Sequence, residues 1–196
     1  MKLIGLTGTS GSGKGYVAAL FAERGLASID TDSVVHRLYR EDTECIAALE
    51  SAFGPLQNAD GSVDRHRLAE IVFADREKLS ALNAIVHRFV KREVERICRE
   101  REVAGCRFLL LDAPQLYEAG MESGCYRVIA VIAPESLRLD RICERDHLER
   151  ASVLQRFRNQ HSDAFFEANA DYLIRNDGSS SLPEQVDRII GELENG

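Results

Sequence analysis

Gly8-Thr9-Ser10-Gly11-Ser12-Gly13-Lys14 satisfies the spacing G-x-x-x-x-G-K. In that pattern glycines let the backbone curl until successive amide hydrogens point inward at phosphate oxygens. An apolar run, Lys2 to Thr7, precedes it, and a helical periodicity through Val17, Leu20 and Phe21 follows. Strand, loop and helix in that order is the context the motif needs, because the helix N-terminus and Lys14 then add positive potential. Gly8 through Lys14, with Gly15 and Tyr16 opening the helix, are the candidate nucleotide-binding residues. The alternative is an ordinary glycine-rich turn, against which Lys14 in register and the apolar strand both count.

One position departs from the usual pattern. Gly15 stands where a serine or threonine hydroxyl normally coordinates magnesium, so direct ligation of the metal at that position is ruled out. Many nucleoside monophosphate kinases also carry glycine there and hold magnesium through water. They usually place threonine next, however, and here it is Tyr16. Phe108-Leu109-Leu110-Leu111-Asp112 has the form of an apolar strand ending in a carboxylate. Asp112 is thus the candidate to reach Mg2+ through its waters. Alternatively it caps a helix that begins at Ala113-Pro114.

These residues need a scaffold, and the rest of the chain supplies its outline. Short apolar runs at Lys2–Thr7, Leu26–Ile29, Arg107–Asp112, Arg127–Ala133 and Tyr172–Ile174 read as strands. The third and fourth are continuous rather than alternating, as in strands buried on both faces. Helical patterns separate them, which implies a parallel α/β sheet. From Thr43 to Glu102 the chain is mostly helix-like, with a turn at Gly54-Pro55 and a polar loop at Asn58–Gly61. A closing amphipathic helix is expected over Pro183–Leu193.

At 196 residues, 44% hydrophobic and 29% charged, the chain suits one core domain with an insertion. Its net charge of −7 argues against broad electrostatic binding to nucleic acid, so phosphate-binding charge must be local. No apolar run approaches the roughly 20 residues that span a bilayer. The glycine-rich motif follows Met1–Leu6 directly, leaving no room for a signal peptide, and a cytoplasmic protein without membrane contact is expected. Five widely spaced cysteines, none in C-x-x-C spacing, read as reduced structural thiols.

With these segments in hand, the chain resembles the dephospho-CoA kinase family, in order from Leu3 to about Gly178. Ile29-Asp30-Thr31-Asp32 matches the family's strand-end signature. Phe53-Gly54 followed by Asp60–Arg65 and Leu68–Phe73 is similar to its helical substrate region. Leu82–His87 matches a leucine-asparagine-x-x-x-histidine helix, with Arg88 where proline is common. Pro114-Gln115-Leu116-Tyr117-Glu118 matches proline-leucine-leucine-x-glutamate except at Gln115. Arg141, Arg145-Asp146 and Arg156 through Gln160 look like the lid signature, and Ala170-Asp171, Ile174 and Asn176-Asp177-Gly178 like the closing strand and loop.

The resemblance implies a P-loop NTPase fold of the nucleoside-monophosphate-kinase type. It has a five-stranded parallel sheet with flanking helices, a helical acceptor-binding insertion over about 43–102 and a lid over about 134–165. It also implies ATP-dependent phosphorylation of the ribose 3'-hydroxyl of dephospho-CoA to give CoA and ADP, the last step of coenzyme A biosynthesis, in a monomer or weak homo-oligomer using ATP and Mg2+. Asp32 would then be the catalytic aspartate, acting with Lys14, Arg141 and Arg145. Asp32, Arg65, His87, Pro114 and Leu116 would meet the acceptor, and Asn176 and Gly178 the adenine. Other readings of these residues stay open. Asp30 or Asp32 can cap the next helix, Arg141 and Arg145 can belong to a solvated charged face, His87 can be structural, and Asn176–Gly178 can be a plain turn. A cytidylate- or adenylate-kinase-like enzyme and a non-catalytic nucleotide-binding regulatory module remain as rivals.

Overall fold

The computed structural model describes residues 1–73 and 75–196; Ala74, inside the expected insertion, lies outside the described residues. The chain divides into two compact units, Met1–Ser28 with Arg107–Gly196, and Ile29–Cys106.

The first unit is built on a parallel sheet. Strand β1 (Lys2–Gly8) leads through the glycine loop into α1 (Lys14–Glu23), and β2 (Ala27–Asp30) crosses the boundary between the units. After the excursion come β3 (Phe108–Asp112), β4 (Arg127–Ile132) and β5 (Tyr172–Arg175). The strand order is β2-β3-β1-β4-β5, so the loop-bearing strand is central. β1 pairs in parallel with β3 on one side and β4 on the other, with Leu6 opposite Asp112 and Gly8 opposite Val131.

Alternation along β4 explains its continuous apolar run. Ile129 and Val131 join Ile4, Leu6, Val17, Phe21, Ile174 and Ile189 in a core under α1 and the last helix, Leu182–Asn195. Ala130 and Ile132 face the other way and pack with Phe166. Both sheet faces are therefore covered, as a parallel sheet requires, and each fully buried leucine, isoleucine or phenylalanine stabilises by roughly 1.5–3 kcal/mol.

The second unit is helical. Helices α2 (Thr31–Glu41), α3 (Thr43–Phe53), α4 (Arg65–Phe73) and α5 (Arg76–Val103) bury Val34, Leu38, Ile46, Leu49, Leu68, Phe89, Val90 and Val94. Carboxylate caps set the starts: Asp30 for α2, Asp42 for α3, Asp75 for α5. Within this unit α2 packs on α3 and α5. Between β4 and β5 lie α6 (Glu135–Asp146), α7 (Arg150–Phe157) and α8 (Asp163–Asn169), and Leu139, Ile142 and Val153 form a small separate core there. The closing helix, α9 (Leu182–Asn195), carries Ser181 as its cap and Pro183 in its first turn.

Candidate active site

Three glycines of the loop stand at positive φ with a neighbour inside 3 Å of an added Cβ, among them Gly11, at φ 80° with the Arg138 carbonyl oxygen 2.8 Å away. Gly8 has φ of 150°, and a Cβ there would lie 2.2 Å from the Val131 carbonyl oxygen across the β1–β4 ladder. Gly13, at φ 91°, would place a Cβ 2.4 Å from Asn176 Nδ2. The loop is closed on itself by the Ser12 amide donating to Thr9 O at 3.1 Å. In the first turn of α1 the amides of Tyr16 and Val17 donate to Gly13 O at 3.0 and 3.2 Å, and those ahead of them have no intrahelical acceptor.

Side chains from three distant segments fasten the loop from outside. Asn176, just past β5, donates through Nδ2 to Ser12 O at 2.8 Å. Arg141, on α6, donates to Gly11 O at 3.3 Å and to Asn176 Oδ1 at 3.4 Å. Gln160, in the turn between α7 and α8, accepts the Ser10 amide at 3.2 Å and donates to Ser10 Oγ at 2.6 Å. Neighbouring Arg138 is 6% exposed, donates Nε to Ala133 O at 2.9 Å and lies over the Phe157 ring. The carbonyl oxygens of Gly11 and Ser12 are thus turned outward into side chains.

Lys14 and Asp112 meet as an ion pair, both largely buried. The register of β1 on β3 brings them together, since Asp112 ends β3 opposite Leu6. No helix begins at Ala113-Pro114; the segment runs as turns, so Asp112 meets the loop's lysine rather than capping a helix. The hydroxyls of Thr9 and Ser12 are buried without a hydrogen-bond partner. Buried donors of this kind are costly unless satisfied, and phosphate oxygens beside the loop fit them. For a divalent cation, one carboxylate and no hydroxyl at Gly15 fit a magnesium ion that keeps most of its water. Among the described residues no group of three or more His, Cys, Asp or Glu side chains could hold a metal by itself.

The other expected residues distribute unevenly. Arg145 turns along its helix to Asp146, with bonds of 2.6 and 2.9 Å, and holds the Asp146 carboxyl below the usual carboxylate range. Arg141 and Arg145 therefore do not act as one pair of hands in this structure. Leu116, expected to touch the acceptor, has no exposed surface and lies against Gly5 in the core, where a side chain cannot reach a ligand. Pro114 contributes its carbonyl, which accepts from Thr7 Oγ1 at 3.3 Å. Tyr16 is 57% exposed, and a Cβ on Gly15 would meet nothing within 4 Å. Gly178 sits at φ 84° in the turn where Asp177 accepts from Ser179.

In the second unit the two strand-end aspartates separate by role. Asp30 accepts the amides of Asp32 at 3.0 Å and Ser33 at 3.3 Å, so it is the cap. Asp32 is exposed in the first turn of α2. Arg65, the first residue of α4, reaches His36 on α2. His87 is half-buried on α5. Sequence reasoning missed the Gln160 and Arg138 contacts and the loop-clamping role of Asn176, all of which join segments more than a hundred residues apart or depend on helix packing.

Three comparisons bear on this arrangement. A family model described as Dephospho-CoA kinase matches residues 2–181. The dephospho-CoA kinase of Bacillus licheniformis is 37% identical over 178 residues, covering 90% of this chain and 89% of that protein. That of Frankia casuarinae is 41% identical over 196 residues, covering 98% and 84%. A crystal structure of a Thermus thermophilus protein superposes with a TM-score of 0.77 at 33% identity, covering 99% of this chain and 96% of its own. The fold is shared with dephospho-CoA kinase from Campylobacter jejuni at 24% identity, TM-score 0.73, with 99% and 98% covered. A glycine loop clamped by three segments, a lysine–aspartate pair joining the start of α1 to the end of β3, and a match over almost the whole sequence agree in placing this chain in the dephospho-CoA kinase family.

Proposed function

We propose that the protein transfers the γ-phosphoryl group of ATP to the ribose 3'-hydroxyl of dephospho-CoA, giving CoA and ADP. The loop with its Lys14–Asp112 pair carries this reading: it is a built phosphate site in an otherwise acidic chain, within a sequence that matches the family from residue 2 to 181.

In the reaction the acceptor O–H bond breaks, a new O–P bond forms and the bond from the γ-phosphorus to the β–γ bridging oxygen breaks, with ADP as leaving group. Lys14 and the loop amides between Gly8 and Gly15 other than those of Ser10 and Ser12 hold the phosphates. Mg2+ bound there would neutralise charge on the β- and γ-oxygens, and Asp112 would hold it through water once Lys14 turns to phosphate. Asp32 orients the acceptor hydroxyl and takes its proton, a role for which its carboxylate is left by Asp30's capping. Arg141, already against the loop, stabilises the transferring group, and Arg145 joins it by exchanging Asp146 for phosphate. Arg65 and His87 contact the acceptor, Pro114 lines its path through the backbone, and Tyr16, Asn176 and Gly178 border the adenine. The 134–165 segment, with its own small core, closes as a lid that excludes water. The enzyme works in the cytoplasm as a monomer or weak homo-oligomer; among the described residues no helix is long and apolar enough to cross a membrane.

The test is incubation with Mg2+, ATP and, separately, dephospho-CoA, CMP, AMP or no acceptor, with Lys14→Ala as control and products identified by mass. Conversion of dephospho-CoA alone to CoA is expected. Phosphorylation of a monophosphate, or ATP binding without any product, overturns the assignment.

A further inference from the structure

Arginine is almost never fully buried unless it is paired, yet Arg138, near the start of α6, is 6% exposed. Among the described residues its side chain makes one hydrogen bond, from Nε to Ala133 O at 2.9 Å. The carboxylate that faces it, Asp163 Oδ1, stands 3.9 Å from Nη2, an ion pair too long for a hydrogen bond. That oxygen is itself buried with no hydrogen-bond partner. The guanidinium also lies 4.5 Å over the Phe157 ring. A charge withdrawn from water at this cost persists only where its surroundings hold it. Here they belong to three segments: the residue after β4, the end of α7 and the start of α8.

Two of the loop's clamps hang on the same parts. Arg141 follows Arg138 by three residues on α6 and donates to Gly11 O at 3.3 Å. The Arg138 backbone lies against that glycine, its carbonyl oxygen 2.8 Å from where a Gly11 Cβ would stand. Gln160, which accepts the Ser10 amide at 3.2 Å, sits in the turn between Phe157 and Asp163, and both flanks of that turn meet the Arg138 guanidinium. One buried side chain thus joins the helix that bears Arg141 to the turn that bears Gln160.

We propose that Arg138 is a positioning residue for phosphoryl transfer: through Phe157 and Asp163 it fixes the root of the lid, so that Arg141 and Gln160 meet the loop in working geometry. It touches no substrate. Its effect on the chemistry passes through Arg141, the group that meets the developing charge, and its effect on nucleotide binding passes through both clamps. The kinetic half of this inference rests on the reaction assigned above, whereas the ordering of the loop is read from ATP binding alone.

The experiment compares wild type, Arg138→Met and Asp163→Asn for kcat, KM for dephospho-CoA and, without acceptor, the ATP dissociation constant by calorimetry. Methionine keeps an unbranched side chain and removes the charge and the donors. Arg138→Met should lower kcat about tenfold and raise the ATP dissociation constant about threefold, with KM for dephospho-CoA within about twofold. In a background that lacks both clamps, Arg141→Ala with Gln160→Ala, the same change should move kcat and ATP affinity by less than about twofold, because the residues it positions are gone; independent structural damage would multiply instead. Asp163→Asn, which keeps Arg138, should repeat the pattern at about threefold in kcat. Losses that multiply in the clamp-free background, a raised KM for dephospho-CoA with kcat unchanged, or wild-type kcat and ATP affinity in Arg138→Met overturn the role. So does an Arg138→Met that fails to fold beside an Asp163→Asn with wild-type constants. A wild-type protein that makes no CoA overturns the assigned reaction, and the positioning role is then decided by the ATP dissociation constants in the two backgrounds.

Discussion

Gly13→Ala tests whether the loop is held as tightly as its geometry says. The added methyl group would sit 2.4 Å from Asn176 Nδ2, at a backbone φ of 91°. A non-glycine residue at positive φ costs about 1–3 kcal/mol. Displacing Asn176 gives up its bond to Ser12 O, worth about 1 kcal/mol. The two together come to about 2–4 kcal/mol, which for a chain of this size lowers the thermal midpoint on the order of 10 °C. Scanning calorimetry of the wild type, Gly13→Ala, Asn176→Ala and the double variant separates the contributions. Since removing Asn176 makes room for the methyl group, the double variant should be more stable than the sum of the singles by about 1 kcal/mol or more. ATP affinity should fall at least tenfold in Gly13→Ala. A midpoint within 2 °C of wild type, by the same arithmetic roughly 0.5–1 kcal/mol, together with unchanged ATP affinity, would refute the reasoning.

Asp30→Ala should lower stability by about 0.5–2 kcal/mol through loss of the α2 cap, whereas Asp32→Asn should leave the melting curve alone and abolish CoA formation; the reverse pattern would exchange their roles. Gly15→Ser should fold at least as well as wild type, since nothing lies within 4 Å of the new Cβ and serine gains roughly 0.5 kcal/mol over glycine in a helix; titration of activity with magnesium should show half-saturation at lower metal. Burial pushes the Tyr39 phenol up to about 12. A folded pKa above the unfolded value of about 10 means stability that is whole below pH 10 and lost as pH rises through 12, up to about 2–3 kcal/mol. Urea midpoints across that range should fall less steeply in Tyr39→Phe, with a remaining slope from Cys45, whose thiol burial raises to about 11.

The glycine loop was legible because all its requirements are local: glycines at fixed spacing, a lysine, an apolar run before and a helical pattern after. The five strands were legible for a related reason, since burial on both faces writes itself as an unbroken apolar run. Which of Asp30 and Asp32 caps α2 was not, because both stand at suitable spacing and only the hydrogen bonds to Asp32 and Ser33 decide. The partners of the loop lay further out of reach. Lys14 with Asp112, Gly11 with Arg141 and Ser10 with Gln160 are joined by sheet register and helix docking, which no local pattern encodes. Leu116 misled because a segment that turns beside a site can still aim one apolar side chain into the core.

The strand order has a consequence for how the chain is made. β1 sits between β3 and β4, which begin well after it in the chain, at Phe108 and Arg127. It must wait, unpaired, for more than half the chain. The helical stretch from Ile29 to Cys106 is contiguous and built on neighbours in sequence, so it has all it needs while the sheet is still incomplete. The Ile29–Cys106 unit is therefore positioned to fold first, and the glycine loop, though it precedes that unit in sequence, is among the last parts of the molecule to take shape.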